Sequence, residues 1–349
     1  MAVDTPAKPF GNILGLVHVP LVSTGLEAQS ARLRRRLAMK LSLNRLGLWR
    51  AGIGVAALAA VAAVAPYAQA TDWTKSYTIS GRANVRLDTN DGSVRVTTSD
   101  TKTVQFRVEY EGYELDKNLH IEANQNGDRV ELIARTSGHW GISIGWHNSR
   151  RLHIEVQMPR QADLDAHTGD GSVEAAAIEG NVKVYTGDGS IRANTLSGTI
   201  DLHTNDGSIN VDALKGNLRL HSGDGSIEAR DLDGKLDADS GDGHIRIAGR
   251  FDELNLKTGD GSVNAQVQAG SKMNTSWNVR TGDGSVDLSL PADLQANIDA
   301  STGDGHISLG MPLTVEGTYK NSEIHGKMNG GGQSLTIHTG DGSIRLSKA

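Results

Sequence analysis

Ten aspartates recur in one short frame, [TS]-[GN]-D-G-[SH]-[IV], at Asp91, Asp170, Asp188, Asp206, Asp224, Asp242, Asp260, Asp283, Asp304 and Asp341. Carboxylates repeated in glycine-rich turns are the donors that hard cations such as calcium select. Calcium-binding repeats of that sort, however, use nine-residue units with carboxylates converging from facing turns. Here one Asp falls in each 18 residues. The simpler reading is that each carboxylate accepts hydrogen bonds from the N–H groups of its own turn. Carboxylates stacked along one edge repel by only about 1 kcal/mol per neighbour in water, less than the burial of one aliphatic side chain returns. No cation is required.

Histidine is the other candidate ligand. His167, His203, His221 and His338 lie just before the motif, and His244 and His306 lie inside it. The spacing of His203 and His221 makes them neighbours on an outer face, but two neutral imidazoles without a third donor make a poor metal site. The chain has no Cys, which removes thiol nucleophiles, disulfides and Cys-based zinc or iron sites together. A Ser-His-Asp order, a His-Glu helix motif and a phosphate-cradling glycine loop are all missing. No catalytic, cofactor-binding or metal-ligating residue is therefore expected, and no cofactor. One further segment carries possible contact chemistry, His139-Trp140-Gly141-Ile142-Ser143-Ile144-Gly145-Trp146-His147. Paired aromatics on a loop suit carbohydrate, membrane-surface or partner contact. The favoured expectation is a hairpin whose Trp140 and Trp146 cover an open end of the core.

What positions these residues is a repeat. From Asp170 to Asp260 the motif spacing is 18 every time, and later gaps are 23, 21 and 37. The gap of 37 reads as about two coils with a degenerate one between. Gly180, Gly198, Gly216 and Gly234 also step by 18, so each unit holds two short strands and two tight turns. Ile191, Ala193, Leu196, Ile200 and Leu202 repeat as Ile209, Val211, Leu214, Leu218 and Leu220. This period-two alternation marks half-buried strands. The slot before Asp is Gly, or Asn at Asn90 and Asn205, which predicts a left-handed backbone there and at the Gly after Asp.

One coil offers about five inward aliphatics worth roughly 1.5–3 kcal/mol each, whereas ordering a residue's backbone costs about 1–2 kcal/mol. A lone coil fails, and stacked coils sharing a ladder and a core succeed. The expected fold is all-β, a single-stranded β-solenoid with 18-residue coils, some ten of them after Thr168 in a rod of roughly 50 Å. Outward columns Glu174, Arg192, Asn210, Glu228, Arg246 and Lys183, Asp201, Arg219, Asp237 bring opposite charges onto adjacent rungs, as cross-strand pairing favours.

Composition agrees. The chain has 42 Gly among 349 residues and only 4% aromatics, which suits a turn-rich repetitive β architecture rather than one large core. Residues 1–70 read as a targeting region: Lys40, Arg45 and Arg50, an apolar run from Ala51 to Ala65, then Ala68-Gln69-Ala70, the pattern of a cleaved signal peptide. Cleavage is expected after Ala70, and Met39 stands where such a peptide would start. Residues 1–70 hold 8 of the 35 Lys and Arg and 2 of the 41 Asp and Glu, so the mature chain carries 27 basic and 39 acidic residues, a net of −12. That balance disfavours nucleic acid, and nothing downstream is apolar enough for a membrane span. Residues 71–166 carry one motif and longer runs at Val104–Tyr110, Val130–Ile133 and Leu152–Val156. They read as the N-terminal β part and cap of the solenoid, with 167–349 as its repeat part. The segment from Met158-Pro159 to Ala166 recurs from Leu290-Pro291 to Ala300.

The segment Asn90–Val96, the V-Q-M-P at Val156–Pro159 and the G-D-G-S-[IV] series together resemble a widespread bacterial family of exported β-solenoid domains named as adhesins, over residues 75–346. The resemblance implies an exported or envelope-facing β-rod and supplies no catalytic residues. The resulting expectation is a non-catalytic cell-envelope or surface scaffold, periplasmic or extracellular, with an unknown envelope ligand or self-association as partner. The competing classes are weaker. A carbohydrate-active β-helix enzyme needs loops that build a pocket, a calcium-stabilised repeat protein needs converging carboxylates, and an ice-binding solenoid needs regular Thr columns on a flat face.

Overall fold

The computed structural model describes residues 71–137, 150–315 and 320–349. Residues 1–70, expected to be a targeting region, and the paired-Trp segment 139–147 lie outside the described residues. Among those described there are 25 strands and no helix, and all the strands join one sheet.

The strands form two parallel ladders, one on each face of a flattened coil. In the first, Glu179–Thr186 pairs with Ser197–Thr204, then Lys215–Ser222, then residues 233–240, each partner 18 residues on. In the second, Val173–Ala176, Ile191–Asn194, Ile209–Asp212 and residues 227–230 stack in the same step. The T-G-D-G turn carries the chain from first ladder to second in each coil. The fold is a β-solenoid with 18-residue coils at its centre. Ile191, Ala193, Leu196, Ile200 and Leu202 all point inward and are no more than 4% exposed. Their repeats from Ile209 to Leu220 continue one core.

The level order departs from the chain order at both ends. Ala83–Thr89 lies between Arg129–Thr136 and Ala162–Thr168, and Ser93–Ser99 lies between Arg151–Pro159 and Val173–Ala176. The first coil made is thus second in the stack. At the other end, Gln333–Thr339 lies between Trp277–Thr281 and Ala296–Thr302, and Ile344–Lys348 lies between Val286–Leu290 and Ile307–Gly310. The last coil made is second from the end. The 37-residue gap therefore holds no degenerate coil: it holds a cap and a return. Among the described residues eleven coils stack, eight of them beginning after Thr168 rather than ten, and eleven rungs span roughly 50 Å.

The repeated Met158-Pro159 and Leu290-Pro291 segments acquire a meaning here. Each lies where the chain climbs two levels at once, from Arg151–Pro159 to Ala162–Thr168 and from Val286–Leu290 to Ala296–Thr302. Each climb leaves a slot for a coil from the chain's other part. Beyond the outermost coils, antiparallel strands cover the core. Thr103–Glu111 pairs with Arg151–Pro159, Thr71–Thr78 pairs with Thr103–Glu111, and Leu119–Asn126 pairs with Arg129–Thr136. Glu323–Met328 does the same on Ala296–Thr302. Val104, Phe106, Val108, Leu119, Ile324 and Met328 are among the buried side chains of these covers, and they blunt ends that would otherwise expose a slice of core.

Candidate interaction surface along the turn edge

The motif begins with an inward hydroxyl. Thr168, Thr186, Thr204, Ser222, Ser240, Thr258, Thr281, Thr339 and Thr302, in level order from the third coil, are all buried. In the coil of Thr204, Oγ1 donates to the Gly189 carbonyl of the coil before at 2.9 Å and accepts from Gly207 N of its own turn at 3.1 Å. The same pair of bonds recurs at Thr186, Thr281, Thr302 and Thr339. A buried hydroxyl with both capacities used stitches one coil to the next.

The motif glycines are required for a different reason from the one expected. Among the ten motifs only Gly92 has a left-handed backbone. Elsewhere the constraint is the coil beneath. A Cβ on Gly207 would overlap the Gly189 carbonyl oxygen, and every later copy of that slot meets the same obstacle. The slot before Asp is slightly looser: a Cβ on Gly187 would lie 2.7 Å from Gly169 O. Asn205 fits by lifting a little, its N–H donating to Gly187 O at 3.0 Å where Gly187 reaches Gly169 O at 2.6 Å. The left-handed positions lie in the other turn, at Ala177, Thr195, Ala213 and Asp231 and at Gly198, Gly216 and Gly234.

The aspartates align along one edge, because each turn stacks on the last through backbone bonds such as Asp206 N to Gly187 O at 3.1 Å. Their carboxylates do not behave as expected. Only Asp91 is bonded within its turn, accepting from Gly92 N at 2.6 Å and from Tyr113 Oη at 3.3 Å. The other nine have no hydrogen bond or ion pair among the described residues and stand exposed in solvent. The turn is held by backbone and threonine, so the carboxylate is spared for the surface. Among the described residues no three His, Asp or Glu converge as a metal site requires. The carboxylates run in a line instead.

Beside this edge runs a column of rings. His167, Tyr185, His203 and His221 stack face to face at centroid distances of 4.5, 4.9 and 4.4 Å. The placement of His203 beside His221 matches the sequence spacing, and Tyr185 completes the stack. Carboxylates close it at both ends, with Asp88 3.8 Å from His167 and Asp239 3.7 Å from His221. His338 and His306 instead meet serines, Ser301 and Ser343, at 3.0 Å, and His244 Nδ1 accepts from Ser262 N. Ring faces spent on one another leave only edges for a partner.

The long faces carry the expected charge ladders only in part. Arg95–Glu174, Arg246–Glu228, Arg219–Asp237 and Arg345–Asp287 pair across rungs at 2.9, 3.1, 3.7 and 3.5 Å. Arg192 and Asp201 gain no such pair. Two open grooves run along these faces, one of about 410 Å³ between Arg192, Asn194, Asp212 and Arg230, the other of about 510 Å³ between Asp201, Arg219, Lys235 and Glu253. Near the N-terminal end, Arg135 grips Asp88 in a two-pronged contact at 2.9 and 2.7 Å. That hydrogen-bonded guanidinium holds the Asp88 carboxyl below its ordinary value.

Solved structures similar to the chain include one provisionally named an adhesin from Parabacteroides merdae, at 12% identity over 79% of this chain and 96% of that one, TM-score 0.42. A second, provisionally named lipid binding, is from Parabacteroides distasonis, at 14% identity over 79% and 97%, TM-score 0.39. A third, provisionally named a cell adhesion protein, is from Clostridium sporogenes, at 13% identity over 80% and 100%, TM-score 0.25. No curated protein matches the sequence. The family model described as Toastrack DUF4097 matches residues 83–276 and 250–347, nearly the whole stack from the first coil to the last, and the chain belongs to that family.

Proposed function

We propose that this protein is a non-catalytic, exported scaffold of the cell envelope or cell surface, which works by presenting fixed columns of side chains to a partner. The observation that carries this reading is the in-register stack. The turn aspartate repeats on ten of the eleven rungs, so a line of carboxylates runs along nearly all of the roughly 50 Å stack, with a four-ring column and a set of cross-rung ion pairs beside it. A partner that is itself repetitive, such as an envelope polymer or another copy of the rod, meets the same chemistry at each step. Open grooves and exposed columns suit such lengthwise contact better than they suit enclosing a small substrate. No helix of the described residues is long and apolar enough to cross a membrane.

Export rests on residues 40–70, and the strand Thr71–Thr78 follows directly on Ala70. Cleavage there leaves this edge strand whole and frees no linker. The test is a pull-down from envelope extracts with the tagged protein, alongside a screen on polysaccharides and cell-wall material. Capture of an envelope component that a motif-scrambled chain fails to capture supports the reading. Turnover of any glycan in the screen overturns it.

A further inference from the structure

Coil 296–310 has no ladder bond to coil 277–290, although the chain passes from one to the other. Every strand pairing between them runs through residues 333–348. The C-terminal coil is a wedge seated in a slot, paired on both sides. Leu335, Ile337, Ile344 and Leu346 are fully buried in it. Thr339 Oγ1 donates to Gly284 O on one side, and Gly342 O accepts from Thr302 Oγ1 on the other, both at 2.7 Å. Its connection is Asn329-Gly330-Gly331-Gly332, whose first three residues all have a left-handed backbone, at φ 50°, 85° and 85°. Such a glycine run lets the chain leave in more than one direction.

The two walls of the slot are synthesised before its occupant. Coil 296–310 and its cap precede residues 333–348 in the chain, so during synthesis the last coil must enter a space whose walls are not yet joined. Any coil with the same residues fills that space equally well, whichever copy supplies it, because every contact on both sides is reproduced. Only the hinge differs between the two arrangements. These are the conditions under which identical elements exchange between copies.

We infer that the C-terminal coil is the self-association element of this protein, and that two copies join by reciprocal insertion of residues 333–348 into each other's slot. This rests on the reading of the protein as a self-associating scaffold, but an empty pull-down from envelope extracts leaves it standing, since exchange needs no second kind of partner. The chain has no Cys, and Ser289 Oγ faces Ser347 Oγ across the slot at 2.9 Å. Full chains carrying Ser289→Cys and Ser347→Cys singly, with different tags, are co-expressed, oxidised and mapped by mass spectrometry. A dimer linked between positions 289 and 347 is expected, and its loss is expected when the two are purified apart and mixed after folding. The double variant S289C/S347C in one chain reports whether the slot geometry holds. An intrachain link in that variant with only monomer from the co-expressed singles overturns exchange, and no link in the double variant overturns the slot itself.

Discussion

At the residue scale, the motif divides its work between an inward hydroxyl, two glycines and an outward carboxylate. Thr204 answers a buried N–H and a buried carbonyl at once. Thr204→Val keeps the shape and strands both partners, so a loss of about 1–3 kcal/mol is expected in urea unfolding. Thr204→Ser restores most of it, as the native Ser222 and Ser240 indicate. No loss in Thr204→Val beside a clear loss in Thr204→Ser would show that the methyl matters and the hydroxyl does not. The glycines offer a second contrast. Gly207→Ala places a methyl in the carbonyl beneath it and should cost about 1–3 kcal/mol or more. Gly127 has a left-handed backbone at φ 62° with open space around it, so Gly127→Ala should cost only about 1 kcal/mol. Thermal melts that rank the two the other way would remove the close-approach explanation.

At the element scale, the in-register core was readable and the level order was not. The inward set from Ile191 to Leu220 could be named because apolar residues alternate and then repeat at a fixed step. Which strand pairs with which is another matter, since coils that share one pattern can all pair with one another and local residues do not choose. A trace of the answer was present in Met158-Pro159 and Leu290-Pro291, which mark the double climbs. The motif glycines were misread for a similar reason. Gly and Asn both tolerate φ > 0, and the true constraint is a carbonyl 18 residues away in sequence, visible only once the coils are stacked. The tucked N-terminal coil carries its own prediction. Asp88 is held below its ordinary value by Arg135, so its contribution is complete above the unfolded carboxyl range near about pH 4. It is lost as pH falls through the depressed folded value. Hydrogen exchange of residues 129–136 should therefore accelerate between pH 5 and pH 3 beyond the rate expected from intrinsic chemistry, and Arg135→Gln should abolish the excess. An undiminished excess in that variant would assign the acid sensitivity elsewhere.

At the scale of the whole molecule, charge is arranged unevenly. The long faces mix both signs and pair them at several rungs, whereas nine turn carboxylates share one edge with no partner among the described residues. Neighbours about 4.8 Å apart repel by about 0.9 kcal/mol in water, and salt screens this repulsion as the screening length falls from about 30 Å at 0.01 M to about 10 Å at 0.1 M. Exposed ion pairs on the faces are each worth only about 0–1 kcal/mol, so relief of the line should dominate. The melting temperature is expected to rise between low and physiological salt, and a fall would mean that the face pairs outweigh the edge. The same line explains how one sequence feature came to be read in two ways. A carboxylate needed by its turn and a carboxylate offered to solvent leave the same letters in the chain, and only Asp91 is of the first kind.

The central proposition is that each 18-residue segment lies directly on the one before. In a chain with no Cys, Asp206→Cys with Asp224→Cys places two thiols on adjacent rungs, about 4.8 Å apart along the stack and within the Cα range of a disulfide. Asp188→Cys with Asp224→Cys places them two rungs apart, beyond the roughly 7 Å limit. Oxidation followed by mass spectrometry should give an intrachain bond in the first pair and free thiols in the second. Bonding in both, or only in the second, would contradict the stack.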